Sequence, residues 1–113
     1  MPDDRRSPDA LQLIERYELI AQASHEMLAA ARHDDWESVT RLEDACRALI
    51  DELRRERASV PGVPLSAAEQ RRRIALLRAI LADDAEIRER AEPWLQQLEH
   101  LFRPLHAPPS AAG

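Results

Sequence analysis

From Ser66 to Arg103 apolar residues recur at helical spacing without a single glycine. At ~1.5 Å per residue, about 38 residues make a rod of roughly 57 Å. The two helical patterns before it, about Pro8 to Arg32 and about Trp36 to Ala58, reach only ~36 Å each by the same rise. The joint between the first two patterns is so short that consecutive helices must lie antiparallel. The expected architecture is therefore an up-down-up, antiparallel three-helix bundle whose third member is too long for the other two. Its overshoot begins at about Ala91 and carries Trp94, Leu95, Leu98, Leu101, Phe102 and Leu105. An apolar surface extending beyond its own bundle needs a partner.

Composition supports an all-α fold of one domain. The 113-residue chain is 44% hydrophobic but holds only one Phe, one Tyr and two Trp, so its core is built from Leu, Ile and Ala. Gly62 and Gly113 are the only glycines, which leaves no phosphate-cradling loop, and β-branched residues are too sparse for strands. All 16 basic residues are Arg against 21 acidic ones, a net charge of -5. A net acidic chain without a long basic stripe does not fit nucleic acid, whose binding is dominated by phosphate neutralisation. The one dense basic run, Arg71-Arg72-Arg73, reads as a solvated helix start. No segment has the apolar length of a signal peptide core or a membrane span. A single cysteine, Cys46, cannot form an internal disulfide, which agrees with a reducing compartment, and the expected location is the cytoplasm.

Helix boundaries are punctuated. Residues 1–7 read as a flexible N-terminus, with Ser7 as a cap and Pro8 at the first helical position, where a missing N–H costs nothing. The first helix (about 8–32) turns inward Ile14, Tyr17, Ile20, Ala21, Ser24, Met27, Leu28 and Ala31 at spacings of three and four. In the joint His33-Asp34-Asp35, Asp34 with Glu37 reads as a capping box for the second helix, about 36–58. That helix presents a narrower stripe of Trp36, Val39, Leu42, Cys46, Leu49, Ile50 and Leu53. Two prolines and a glycine between Ser59 and Leu65 bar helix there. Ser66 with Glu69 then makes a second capping box for the third helix, about 66–103. Its inward residues are expected to be Ile74, Leu77, Leu81, Ile87, Ala91, Trp94, Leu98 and Leu105, with a repeat nearer 3.5 than 3.6 that implies left-handed supercoiling. Pro93 interrupts this pattern and predicts a kink or break, since an interior proline costs a helix about 3 kcal/mol. The tail 104–113 reads as disordered.

Little in the chain points to chemistry. His33, Asp34 and Asp35 offer three potential ligands, but neighbours in sequence seldom converge, and neither paired cysteines nor an H-E-x-x-H spacing is present. No metal or cofactor is expected. Asp84 falls on the apolar arc of the third helix with Arg88 four residues on, which reads as a boundary salt bridge rather than a working acid. Cys46 sits within a Leu-rich stripe and reads as an inert thiol.

The run from Tyr17 to Glu37, ending in Ala31-Arg32-His33-Asp34-Asp35-Trp36-Glu37, resembles the first helix and Trp-bearing joint of the FliT-type flagellar export chaperones. The run Leu81-Ala82-Asp83-Asp84-Ala85-Glu86-Ile87, continued through Trp94-Leu95-Gln96-Gln97-Leu98, is similar to their third helix, and Pro61-Gly62 falls where their loop does. The resemblance covers about residues 11–103. A joint of small residue, Arg, any residue, acid, Trp and acid is more distinctive than a heptad. The resemblance implies a non-enzymatic cytoplasmic chaperone that binds the C-terminal segment of the filament cap protein and delivers it to the export ATPase apparatus. Longer members carry a fourth helix that controls partner access. After Arg103 this sequence continues only as PLHAPPSAAG, so that helix is not expected, and the resemblance does not carry over the self-inhibition or transcription-activator antagonism that depends on it.

The residues agree with this reading independently. A groove accepting an amphipathic helix is read through anchors at i, i+3, i+4 and i+7. The expected partner-binding residues are Leu76, Ile80 and Ile87 on one edge of the third helix and Trp94, Leu98, Leu101 and Phe102 beyond the bundle. The alternative is a dimeric helical adaptor with non-flagellar cargo, in which a homodimer buries the same surface. An all-α chorismate mutase is a further resemblance, carried faintly by Arg47 to Arg57. It is disfavoured because those enzymes use a cationic cluster that includes lysine, and this chain has none.

Overall fold

The protein, represented by a computed structural model, is described over residues 8–59 and 62–106, with side chains placed for 8–58 and 62–102. It consists of α1 (Pro8–Arg32), α2 (Trp36–Ser59) and α3 (Ala67–His106), and no strand occurs among the described residues. The Ser7 cap, the rest of the N-terminal stretch, Val60-Pro61 and tail residues 107–113 lie outside the described residues.

The α1–α2 joint is tighter than a capping box centred on Asp34. The amide of Asp35 donates to the Ala30 carbonyl at 2.9 Å and that of Asp34 to Ala31 at 3.0 Å, the paired bonds of a Schellman C-cap. Such a cap needs a left-handed residue, and Asp34 takes that position with φ 58°. Asp35, not Asp34, then caps α2. Its Oδ1 accepts from the Ser38 amide at 3.2 Å and its Oδ2 from the Ser38 hydroxyl at 2.6 Å. These bonds hold its carboxyl below the usual Asp range. His33 Nδ1 donates to the Ala29 carbonyl at 2.8 Å, satisfying another terminal carbonyl of α1. One helix thus ends and the next begins on consecutive residues. The expected box at α3 is present, with the Ser66 amide donating to Glu69 Oε1 at 2.8 Å and the Glu69 amide to Ser66 Oγ at 3.1 Å.

The bundle is built around α1. Both α2 and α3 pack along it, whereas the backbones of α2 and α3 stay more than 8 Å apart among the described residues. A helix flanked on two sides must be apolar over a wide arc, and α1 buries Ala10, Tyr17, Ile20, Ser24, Leu28 and Ala31. Two apolar clusters result. One joins Tyr17, Ile20, Leu53 and Leu76, with Cys46, Ile50, Leu77 and Ile80 packed on it. The other joins Leu28, Ala31, Val39 and Ile87, with Met27 and Trp36 alongside. Between them the buried Ser24 hydroxyl donates to Asp83 Oδ2 at 3.0 Å.

Three more polar contacts fix how α3 slides along α1. Arg32 forks onto Glu86 at 2.8 and 2.9 Å, Arg72 reaches Glu18 at 3.2 Å, and the Arg73 guanidinium lies 5.8 Å over the Tyr17 ring. On the other side of α1, Arg16 bridges Glu52 at 2.8 Å and also pairs with Glu56.

Two expectations about α3 change. The helix runs unbroken through Pro93 and on to His106, so the chain neither breaks nor folds back there, and residues 104–106 belong to the helix rather than the tail. Pro93 is exposed, so its ring faces solvent while the apolar side of the helix is unaffected. The inward face is also different. Ile87, expected inside, is buried and Leu77, also expected inside, packs on the first cluster, but Leu76 is buried and Ile80 half-buried as well, while Ile74 and Leu81, expected inside, are 37% and 66% exposed. The helix carries two apolar stripes about a quarter turn apart on a wheel of about 100° per residue, and only one faces α1.

Because a left-handed backbone costs an L-residue roughly 1–2 kcal/mol and glycine nothing comparable, Asp34→Gly should stabilise the fold by about 0.5–1 kcal/mol in urea denaturation. Ser24→Ala, which strips a donor from a largely buried carboxylate, should cost about 1–3 kcal/mol in the same assay.

Candidate functional site

Trp36 opens α2 and its ring stacks on Trp94 of α3, with centroids 6.3 Å apart and planes inclined by 16°. Such an offset pair contributes ~0.5–1.5 kcal/mol beyond its buried area. The stack closes the end of the bundle, so the overshoot begins after Trp94, a turn later than Ala91. About twelve residues, Leu95 to His106, extend roughly 18 Å past it.

Of the residues expected to meet a partner, Leu76 and Ile87 are core residues held against α1, and Ile80 packs on the first cluster. Trp94 is in the stack yet 43% exposed, and Leu98 is half-buried. Leu101 and Phe102 stand out at 70% and 50% exposure. Ile74, Leu81 and Leu95 join them, the first two having been assigned to the core from sequence. On a wheel of about 100° per residue Ile74, Leu81, Leu95 and Phe102 share one line beside the core stripe, while Trp94 and Leu101 fall on the core side of the overshoot. A monomer exposes apolar residues singly without consequence, as α1 does at Leu11 and Leu19, but several aligned on one helix face mark an interaction surface.

Charge divides the stripe. Asp84 and Arg88 sit in its middle and pair with each other at 2.8 Å, the i,i+4 bridge expected from sequence. On the α2 side the half-buried Cys46 thiol is pushed up by burial and then by the carboxylates of Asp84 and Glu43. That thiol is a poor nucleophile. Asp83, which the sequence reading passed over in favour of Asp84, is the acid that works structurally, accepting from Ser24 with His25 Nδ1 3.7 Å away. Two carboxylates adjacent in sequence give no sign of which one a helix will turn inward. Among the described residues no three His, Cys, Asp or Glu side chains gather as a metal site, and no helix is long and apolar enough to cross a membrane.

The geometry is that of a bundle with one helix face left open, and comparison with known proteins gives it a family. The profile of the flagellar protein FliT family matches residues 14–111. The chain belongs to the FliT family. Its fold is similar to the crystal structure of flagellar protein FliT from Bordetella bronchiseptica, with 36% sequence identity and a TM-score of 0.70. The alignment covers 79% of this chain and 97% of that one. Comparison with curated protein sequences finds no match. Membership makes this a flagellar export chaperone, from a family of chaperones rather than enzymes.

The α1–α3 bridge at the foot of the site gives the fold an acid sensitivity. Hydrogen bonds from Arg32, and then from Arg90, hold the Glu86 carboxyl down at about 2, against an ordinary value of 4.5. The unfolded chain takes up this proton first, so the bridge's contribution is complete above 4.5 and disappears as pH falls towards about 2. Urea midpoints should therefore drop across that window, and Glu86→Gln should flatten this part of the profile.

Proposed function

We propose that this FliT-family chain is a cytoplasmic chaperone that holds the filament cap protein by its C-terminal segment and passes it to the export ATPase apparatus. The observation that carries this reading is the exposed stripe on α3, where Leu81 is 66%, Leu95 53% and Phe102 50% exposed. An export substrate kept short of its assembled form leaves an apolar helix face uncovered. A chaperone must supply an equivalent face, with anchors one turn apart. Leu95, Leu98 and Phe102 supply it at spacings of three and four residues. Each apolar side chain fully buried on such a surface is worth ~1.5–3 kcal/mol, so a few suffice for a complex that forms in the cytoplasm and is released at the export gate. Leu76 and Ile87, named among the partner residues from sequence, support this surface from beneath rather than touching cargo.

Isothermal titration with the C-terminal segment of the filament cap protein from the same genome tests the assignment, with saturable 1:1 binding expected. Leu98→Asp combined with Phe102→Asp should weaken that binding at least about tenfold, or ~1.4 kcal/mol, with unchanged circular dichroism. Loss of helicity in the double variant would make these residues core, and absence of heat with the wild type would remove the filament cap protein as cargo. Ile87→Asp is the contrasting control and should unfold the bundle, since it places a carboxylate in the second apolar cluster.

A further inference from the structure

At the end of the bundle opposite the tryptophan stack, the first turns of α1, the end of α2 and the start of α3 surround a cleft of about 520 Å³. Leu13, Val63 and Leu65, all half-buried, give it apolar walls, and Arg57, Arg73 and Gln70 give it polar ones. Among the described residues no acid lines it, in a chain that carries 21 acidic residues and a net charge of -5. A cleft of this size, with apolar walls and a few convergent polar groups, has the make-up of a ligand site.

Both guanidiniums come to the cleft without an ionic partner. Arg16, Arg32, Arg72 and Arg88 pair with carboxylates, but Arg57 and Arg73 occur in none of the ion pairs among the described residues. The local reasons differ. A helical arginine finds its nearest acids three or four residues away, and the residues at those distances from Arg57 are Leu53, Arg54, Val60 and Pro61, none of them acidic. Arg73 has Glu69 four residues back, but that carboxylate is engaged by the Ser66 amide at 2.8 Å in the box that starts α3. Arg73 instead donates through Nε to Gln70 Oε1 at 3.1 Å and through Nη1 to the Tyr17 hydroxyl at 3.4 Å, lying 5.8 Å over the Tyr17 ring. These acceptors are neutral, so they orient the guanidinium and leave its charge unbalanced. The N-terminus of α3 adds the positive end of a helix dipole on the same side.

We propose that this cleft binds a short acidic-apolar peptide segment of another protein, with carboxylates paired to Arg57 and Arg73 and an intervening apolar side chain against Leu13, Val63 and Leu65. Guanidinium forks match carboxylates through two parallel hydrogen bonds. An inorganic anion would leave the apolar walls without contact, and a nucleic acid would bring a long run of phosphates to a net acidic chain. A segment that alternates acid and leucine satisfies both kinds of wall. The cleft lies a full helix length, ~36 Å, from the overshoot of α3. It is therefore independent of what the α3 stripe holds, and the two surfaces can be occupied at once.

Fluorescence anisotropy with the full chain tests this, using as probe a fluorescein-labelled, C-terminally amidated peptide of sequence Glu-Leu-Asp-Leu-Glu. Saturable binding is expected, weakening as salt is raised from about 0.1 M towards 1 M. Arg57→Gln, at an exposed position, should weaken it about fivefold with an unchanged urea midpoint, and R57Q/R73Q should abolish it. Leu98→Asp with Phe102→Asp should leave it unchanged, which separates this site from the cargo surface. A wild type that does not bind the probe would overturn the assignment. So would a Gln-Leu-Asn-Leu-Gln peptide that binds equally well, which would make the cleft merely apolar, or displacement by equimolar inorganic phosphate, which would make it a bare anion site. Binding that appears only in D3N/D4N would give the cleft to the chain's own N-terminal acids and equally overturn it.

Discussion

Everything distinctive about this molecule follows from how α3 is locked lengthwise onto α1. Arg72 with Glu18, Asp83 with Ser24, and Glu86 with Arg32 are three rungs of one ladder, spread over about four turns. Burying apolar side chains brings two helices together but leaves their relative slide loosely determined, because hydrophobic contact has no direction. The hydrogen-bonded rungs do have direction. The Ser24 hydroxyl inside the interface donates to Asp83, and a slide of one turn would leave Asp83 turned inward without it. With that register set and α1 ended at Arg32 by its Schellman cap, the last dozen residues of α3 have no helix among the described residues to pack on.

The second constraint is the joint. Because Asp34 closes α1 and Asp35 opens α2, α2 must return along α1 at once, and its first residue, Trp36, is delivered to the side of α3 where Trp94 waits. The stack ties α2 to α3 at that end, while elsewhere the two meet only through side chains gathered around the first apolar cluster. An arrangement in which one helix is central and its two neighbours stand apart leaves an open face on α3. In an ordinary three-helix bundle that face would be closed by α2.

This explains which parts of the structure could be read from the residues. The helices, their order and the Ser66–Glu69 box were legible because periodicity, proline and capping chemistry are local and agree with one another. The α1 arc from Ile14 to Ala31 was legible because a central helix is apolar on nearly every side that matters. The inward face of α3 was legible only in part, at Leu77 and Ile87, because Leu76, Ile80 and Ile87 and the neighbouring Ile74, Leu77 and Leu81 are equally apolar at equally helical spacing. Which stripe faces α1 is decided by Asp83, Glu86 and Arg72, whose partners lie more than fifty residues away in sequence. The Asp34–Asp35 exchange is a smaller case of the same kind. Either residue caps a helix well, and the choice belongs to the αL turn that ends the preceding one.

An exposed apolar stripe on a chaperone has to resist nonspecific association while staying available. A continuous apolar stripe from Ile74 to Phe102 would bind any amphipathic helix and would also promote aggregation. Interrupting it with Asp84 and Arg88 lowers that tendency, since a partner lacking the complementary pair must bury two charges against apolar groups. The interruption falls inside the bundle, and beyond Trp94 the described residues on that line, Leu95, Leu98 and Phe102, are all apolar. The two halves are therefore unequal, the bundle half carrying a charged pair and the overshoot half apolar contact alone, and the long third helix holds both kinds of surface on a single element.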